Sequence, residues 1–393
     1  MRIRLAWVPF LVLFVAACDE EPTSSKLFLS PIAVTDLPGW SRDDHGEALP
    51  AWRRTCERLK SMPDDRSLGP EGIGGTVAAW RPICAVLPKR DDSAKLRKIL
   101  ERELLAYKAE GENGSEGLFT GYYEPELRGS RTRGGVYQVP LYGVPSNRVT
   151  VDLGAFDPEL KGKRIVGRLE GSRLRPYYAR ADIENGALSN QAAELLWLDD
   201  ALDAFILHVQ GSGFVSLPNG RSMRVGFAGH NGRKYNSIGR ALIERGELEK
   251  GRASWQNIRD WLEINHNRAA EVFSVNPRYI FFRELDGDGP VGAVGVVLTP
   301  GRSLAIDPSF VSLDVPLWLD AEHPIPGNGR LQRLMLTQDT GGAIKGPVRG
   351  DVFWGTGKNA LAIAGRMRSK GVYYLLLPRS VAAPKLAVAR ATL

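Results

Sequence analysis

The sequence predicts a mainly β protein with flanking helices, on three observations. The 393 residues include 43 glycines and 25 prolines, above the usual ~12% for the two combined, which favours many turns and short strands over a helical bundle. Short aromatic and β-branched runs separated by Gly and Pro recur on both sides of a central helical patch. Apolar spacing with a 3.6-residue period is confined to a few segments. The length suits about two domains. With 43% hydrophobic and 25% charged residues, a disordered, collagen-like or polytopic membrane chain is excluded.

The N-terminus reads as an export signal. Arg2 and Arg4 precede an apolar run from Leu5 to Phe14, too short to span a membrane as a mature helix. Val15-Ala-Ala-Cys18 has the form of a lipobox, with cleavage before Cys18 and acylation of its sulfur. Residues 1–17 are thus a lipoprotein signal peptide and 18–35 a lipidated tether, polar from Asp19 to Lys26. Asp19 has the character of an inner-membrane retention signal. The net charge of +7 falls to +5 once Arg2 and Arg4 are removed. Cys56 and Cys84 remain as an even pair in an oxidising compartment, open to a disulfide or to two buried thiols.

Along the body, Leu49–Leu59 places Trp52, Cys56 and Leu59 on one helical face, and Thr76–Leu87 places Trp80 and Cys84 four apart. Asp92 or Ser93 caps a third helix expected to run to about Ala109, on Leu96, Ile99, Leu100, Leu104 and Leu105. Strands are expected at Phe119–Tyr123, Val136–Tyr142, Lys163–Arg168, Ala204–Gln210 and Gly213–Leu217. Helices return at Ile238–Arg245, at Ser254–Glu263 with Ser254 as N-cap, and at Ala269–Phe273. Further strands are expected at Tyr279–Arg283, Val291–Leu298, Ser303–Asp307, Leu317–Leu319, Gln332–Gln338 and Val372–Leu377. The pattern fits two barrels in tandem or one barrel interrupted by another.

Several familiar motifs fail. Gly287-Asp-Gly-Pro-Val-Gly292 opens no helix, so it is a turn. Gly355-Thr-Gly-Lys358 lacks the first glycine of a phosphate loop, because Val352 stands there. The five histidines have no metal spacing, and no G-x-S-x-G elbow occurs. No metal or other cofactor is implied.

Three segments carry candidate chemistry. Gln338–Gly357 holds six glycines with Asp339, Lys345, Arg349 and Asp351. It reads as a catalytic acid with its support, or as a tight turn with solvated charges. His208-Val-Gln-Gly-Ser-Gly213 offers Gln210 and Ser212 to sugar hydroxyls, or is a hairpin turn. Phe119-Thr-Gly-Tyr-Tyr-Glu-Pro125 joins aromatic faces to a hydroxyl, as carbohydrate grooves do, and equally suits a core.

Six segments in order resemble the membrane-bound lytic murein transglycosylase A family: Phe119–Pro125, Pro140–Gly143, His208–Gly213, Asn231–Leu248, Asn276–Glu284 and Asp339–Asp351. The resemblance covers roughly residues 36–380. It implies a double-psi β-barrel formed by residues 36–124 and 288–385 with N-terminal helices. A smaller β-rich substrate-binding domain, residues 125–287, is then inserted into it, with a glycan groove between the two. It implies that Asp351 is the catalytic acid and Asp339 its support. Thr120, Gln210 and Ser212 then contact sugar, Tyr122 or Tyr123 stacks on a ring, and Lys345 pairs with one of the two aspartates.

The implied enzyme is a lytic exotransglycosylase, a lyase that cuts the β-1,4 bond between N-acetylmuramic acid and N-acetylglucosamine and leaves a 1,6-anhydro end. A glycan hydrolase on the same barrel and a non-catalytic peptidoglycan-binding lipoprotein are the alternatives. The implied partners are peptidoglycan strands, a membrane reached through Cys18 and other cell-wall enzymes, with no nucleic acid. The positive charge suits an anionic polymer. The implied location is periplasmic, lipid-anchored and at the outer membrane, with the inner membrane as the alternative that Asp19 raises.

Overall fold

The computed structural model describes residues 26–90, 92–188, 190–287, 289–381 and 387–389. Cys18 and Asp19 lie outside them. The chain opens with β1 (Lys26–Ile32), α1 (Leu49–Lys60), α2 (Val77–Val86) and α3 (Ser93–Glu103), then β2 (Leu104–Glu110) and β3 (Gly117–Glu124). Next come β4 (Glu126–Ser130), β5 (Val139–Tyr142), β6 (Arg148–Asp152), β7 (Arg164–Glu170) and β8 (Arg173–Pro176). These are followed by α4 (Arg180–Glu184), β9 (Glu194–Leu198), α5 (Ala201–Gln210), β10 (Ser212–Ser216) and β11 (Ser222–His230). Helices α6 (Ile238–Glu244), α7 (Trp255–Ile264) and α8 (Ala269–Ser274) lead to β12 (Ile280–Leu285). The last part holds β13 (Ser303–Ile306), β14 (Pro316–Glu322), β15 (Arg330–Asp339), β16 (Arg349–Thr356), α9 (Gly357–Ala364), β17 (Arg368–Pro378) and β18 (Ala387–Ala389).

Six strands close on themselves in the order β14-β15-β13-β16-β3-β17, because β17 pairs with both β3 and β14. Two pairs in this barrel are parallel, β13 with β15 and β16 with β3, and the rest are antiparallel. Strands β2, β1 and β18 extend the sheet from β17. The interior is apolar, with Phe119, Leu304, Ile306, Leu317, Leu336 and Val352 buried. Trp52 of α1 and Trp80 of α2 belong to the same core.

A six-stranded sheet, β12-β11-β10-β4-β9-β5, and a three-stranded sheet, β6-β7-β8, are built entirely from residues between β3 and β13. The chain therefore leaves the first barrel after β3 and re-enters it at β13. Of the two arrangements open to the sequence, the interrupted barrel is the one formed. Helices α5 to α8 pack against α9 and Tyr123 through Phe205, Ile258, Phe273, Ala360 and Ala364, so one apolar cluster joins the two parts.

Five expectations need correction. Leu104–Glu110 continues α3 by period, yet the chain turns into β2, because pairing with both β1 and β17 outweighs local preference. Ala204–Gln210 lies in helix α5 and is not a strand. Asp200 caps it by accepting from Asp203 N at 2.7 Å, and Leu202, Phe205 and Ile206 face the core. Val291–Leu298 is a turn with a single bridge, Val291 to Val297. Residues 26–32, expected in the tether, form β1 with Leu27 and Leu29 buried. Residues 349–357, read as the end of a glycine-rich loop, form β16 and the first residue of α9. Cys56 and Cys84 are joined as a disulfide between α1 and α2, with Cα atoms 5.6 Å apart.

Candidate active site

Two aspartates reach one place through strand register. Ala305 of β13 is the Cα partner of Asp339 on β15 and also of Asp351 on β16. Two interstrand spacings put the aspartate Cα atoms about 10 Å apart on the same face. On the far side of β16, Asp351 is in register with Thr120 of the parallel strand β3.

The Thr120 hydroxyl donates to Asp351 Oδ1. Arg349 Nη1 donates to the same oxygen at 2.6 Å, and Arg349 Nη2 to Thr120 Oγ1 at 2.8 Å. Both side-chain donors thus fall on Oδ1 and neither on Oδ2. Burial pushes the Asp351 carboxyl above the ordinary carboxylate range, and the Arg349 charge partly offsets this. The side chain keeps 19% of its surface exposed, enough for a substrate atom to reach it.

Asp339 is held differently. Its Oδ1 accepts from the backbone N–H groups of Ala293 and Thr340, each at 2.9 Å, and its Oδ2 from the Tyr122 hydroxyl at 2.9 Å. Burial raises its pKa to about 6 against the pull of those donors, with the Asp351 charge adding to the rise. Burial and the Asp339 charge push the Tyr122 phenol well above its usual value. Gln338, fully buried beside Asp339, donates to Ala51 O and Thr55 Oγ1 and accepts from Ser303 Oγ. This fastens the end of β15 to α1.

The loop between β15 and β16 is pinned by a third aspartate. Asp307 Oδ2 accepts from Gly346 N at 3.0 Å, and its Oδ1 lies 4.0 Å from Lys345 Nζ. Gly346 has φ +117°, which a side chain resists. At Gly342 an added Cβ would lie 3.4 Å from the Arg278 guanidinium carbon. Arg278 belongs to the inserted part, so its side chain touches the loop of the barrel.

The structure brings Thr120, Tyr122, Asp339 and Asp351 together. Gln210 serves a joint instead, its Oε1 accepting from Tyr123 N at 3.1 Å, and Ser212 opens β10 two residues later. Lys345 pairs with Asp307 and with neither Asp339 nor Asp351, because the glycine turn carries it to the end of β13. Tyr123 is buried in the helical cluster and offers no face to a ring. Asp307, Glu124, Ala293 and Arg278 were missed. Glu124, fully buried, accepts from Arg224 Nε at 3.2 Å and Thr356 Oγ1 at 2.7 Å where β3 leaves the barrel. A carboxylate flanked by Tyr-Tyr and Pro was the available signal for Glu124, and Asp-Pro after an apolar strand for Asp307. Nothing local marks Ala293, whose contribution is a backbone N–H.

Family models for the MltA specific insert domain and the 3D domain match residues 118–283 and 302–377. The membrane-bound lytic murein transglycosylase A of Escherichia coli (strain K12) is 30% identical over 391 residues, covering 94% of this chain and 96% of that one. The chain belongs to the membrane-bound lytic murein transglycosylase A family. Among solved members, the membrane-bound lytic murein transglycosylase of Agrobacterium tumefaciens is 31% identical, with 90% of this chain and 98% of that one covered and a TM-score of 0.79. MltA from Neisseria gonorrhoeae, monoclinic form, is 34% identical, with 92% and 97% covered and a TM-score of 0.76. MltA of E. coli with bound chitohexaose is 25% identical, with 90% and 94% covered and a TM-score of 0.59. The closed six-stranded barrel with its insertion is the double-psi architecture of this family. Among the described residues no helix is long and apolar enough to cross a membrane.

Proposed function

We propose that this protein is a lytic transglycosylase acting on peptidoglycan. It cleaves the β-1,4 bond between N-acetylmuramic acid and N-acetylglucosamine and leaves a 1,6-anhydro-muramic end. The observation that carries this reading is the unequal setting of the two aspartates. Burial raises both carboxyls and both are half-buried, but Asp351 keeps an oxygen, Oδ2, that neither Thr120 nor Arg349 engages. Asp339 has donors on both oxygens. One working carboxyl suits a reaction whose nucleophile comes from the substrate.

In the first half-reaction, protonated Asp351 gives its proton to the glycosidic oxygen as the C1–O bond breaks. In the second, the C6 hydroxyl of the muramic sugar attacks C1 and gives its proton to the Asp351 carboxylate. The nucleophile is tethered, so its effective concentration is high and no activated water is needed. Arg349 and the Thr120 hydroxyl stabilise the carboxylate between the two steps. Asp339 holds the loop and Tyr122. Thr120, Tyr122 and Ser212 would contact the sugar, while Gln210 would support the joint at Tyr123 and Lys345 the loop at Asp307. The inserted residues 125–287 form the second wall, and Arg278 is where they meet the loop. The chitohexaose bound by the E. coli relative supports a glycan as occupant.

A lipid on Cys18 would hold the enzyme at the periplasmic face of the outer membrane, the inner membrane being the alternative that Asp19 raises. Residues 18–25 then link that anchor to β1, and 36–124 with 288–385 form the catalytic barrel. Other cell-wall enzymes are the natural partners there.

The test is mass spectrometry of digested peptidoglycan. Products one water lighter than hydrolytic muropeptides, lost in Asp351→Asn, are expected. A second reading is hydrolysis by water, favoured by two carboxyls on strands about 10 Å apart, within reach of the inverting spacing. Products with reducing ends only would establish it and overturn the first.

A further inference from the structure

One cavity lies away from the aspartates. Arg168, Glu170, Arg175, Tyr178, Asp182 and Arg233 line a space of about 740 Å³ against the β6-β7-β8 sheet, within the range of ligand sites. Its charge pattern is unusual for a bare sheet face. Arg168 and Arg175 are direct cross-strand partners in β7 and β8, a like-charge pairing that is unfavourable by itself. Glu170 stands between them, 2.5 Å from Arg168 Nη2 and 3.8 Å from Arg175 Nε. One carboxylate therefore serves two guanidinium groups, and the Arg175 side chain stays 51% exposed.

The walls are fixed. Arg168 lies over the Tyr178 ring at 4.0 Å. Arg233 directs Nε and Nη2 to Tyr177 O at 3.1 and 2.8 Å, bonds that leave Nη1 out. The cavity is also one residue from the catalytic loop. Arg233 O accepts from Arg278 Nη1 at 3.1 Å, and the Arg278 guanidinium is the group that abuts Gly342. The cations inside the active site are already engaged, Arg349 with Asp351 and Lys345 with Asp307. Arg278 thus links the loop at Gly342 to Arg233 in the cavity wall.

We propose that the cavity is a subsite for the stem peptide of peptidoglycan, a short acidic peptide with free carboxylates and a side-chain ammonium. The inference rests on the transglycosylase reading. The stem leaves the muramic sugar at its C3 lactyl group, beside the bond that is cut. Its carboxylates suit Arg175 and Arg233 through charge-assisted hydrogen bonds, and its ammonium suits Asp182.

The test titrates the full chain with free stem tripeptide by calorimetry. It also compares turnover of glycan strands that carry stems with strands stripped of them at the lactyl amide. Arg175→Glu should weaken peptide binding about tenfold and raise KM for stem-bearing strands by a like factor. Turnover of stripped strands should be unchanged, which also shows that the variant is folded. Arg175→Gln should give a smaller loss in the same direction. Absence of peptide binding to the parent protein, or equal binding by Arg175→Glu, overturns the proposal. A parent protein that cleaves neither kind of strand defeats the transglycosylase reading instead, and the titration then decides the cavity by itself.

Discussion

Thr120 and Asp351 are register partners in the parallel strands β3 and β16, and the Thr120 hydroxyl donates to the Asp351 carboxyl. A donor to the ionised form lowers a pKa, and burial raises it. Here the two oppose each other on one carboxyl, the balance that the proposed acid-then-base role of Asp351 requires.

Thr120→Val removes the donor without changing shape much. The Asp351 pKa should rise further, and the alkaline limb of the pH–rate profile should move to higher pH. The rate at the optimum should fall about tenfold, as the carboxylate loses a charge-assisted bond. Anhydro-muropeptide release measured across pH checks both. An unmoved alkaline limb would remove Asp351 as the titrating acid.

Asp351→Asn should lower turnover by about a thousandfold, the scale of a lost general acid, with thermal stability near that of the parent. In Asp339→Asn the amide oxygen still accepts from Ala293 and Thr340. Turnover should then fall only about tenfold. Near-normal turnover in the first variant with loss in the second would reverse the assignment.

Asp339 also bears on stability. It holds its proton to about pH 6 in the folded chain, whereas an unfolded aspartate releases it near pH 3.9. Between those values the native state binds more protons, so this contribution is full below about pH 4 and is lost as pH rises through about 6. Asp339→Asn lacks this term. Its Tm should gain on that of the parent between pH 4 and 6.5, and a constant difference would refute the buried protonated carboxyl.

The Cys56–Cys84 bridge closes a segment with a sequence separation of 28. Changing both cysteines to serine should destabilise the fold by about 3 kcal/mol, through the gain in unfolded-chain freedom. Denaturant melts measure the loss. In the parent, the Cys56 and Cys84 thiols should titrate in denaturant only after reduction.

Much of the secondary structure was legible because its causes are local. Ser254 caps α7 by accepting from Asn257 N at 3.2 Å, and Trp52, Cys56 and Leu59 form the buried stripe of α1. The errors fell where partners are distant. Leu104–Glu110 reads as helix until β1 and β17 lie on either side of it. The 349–356 stretch, with glycines at 350 and 355, becomes a strand only between β13 and β3. Order within the candidate site was recovered by resemblance across six segments, not by pattern in any one of them.

The sequence by itself determined the β-rich character, the capped helices, an even pair of body cysteines and a glycine-rich run with two aspartates. Residue pattern left those aspartates chemically alike, and the family resemblance ranked them without a physical reason. Only the tertiary structure made them different, because the donors that separate them come from far along the chain. Tyr122 lies 217 residues from Asp339, Ala293 lies 46 from it, and Thr120 lies 231 from Asp351. A pKa is set by burial and by the groups aimed at the carboxyl, and neither exists until the interrupted barrel closes around the site.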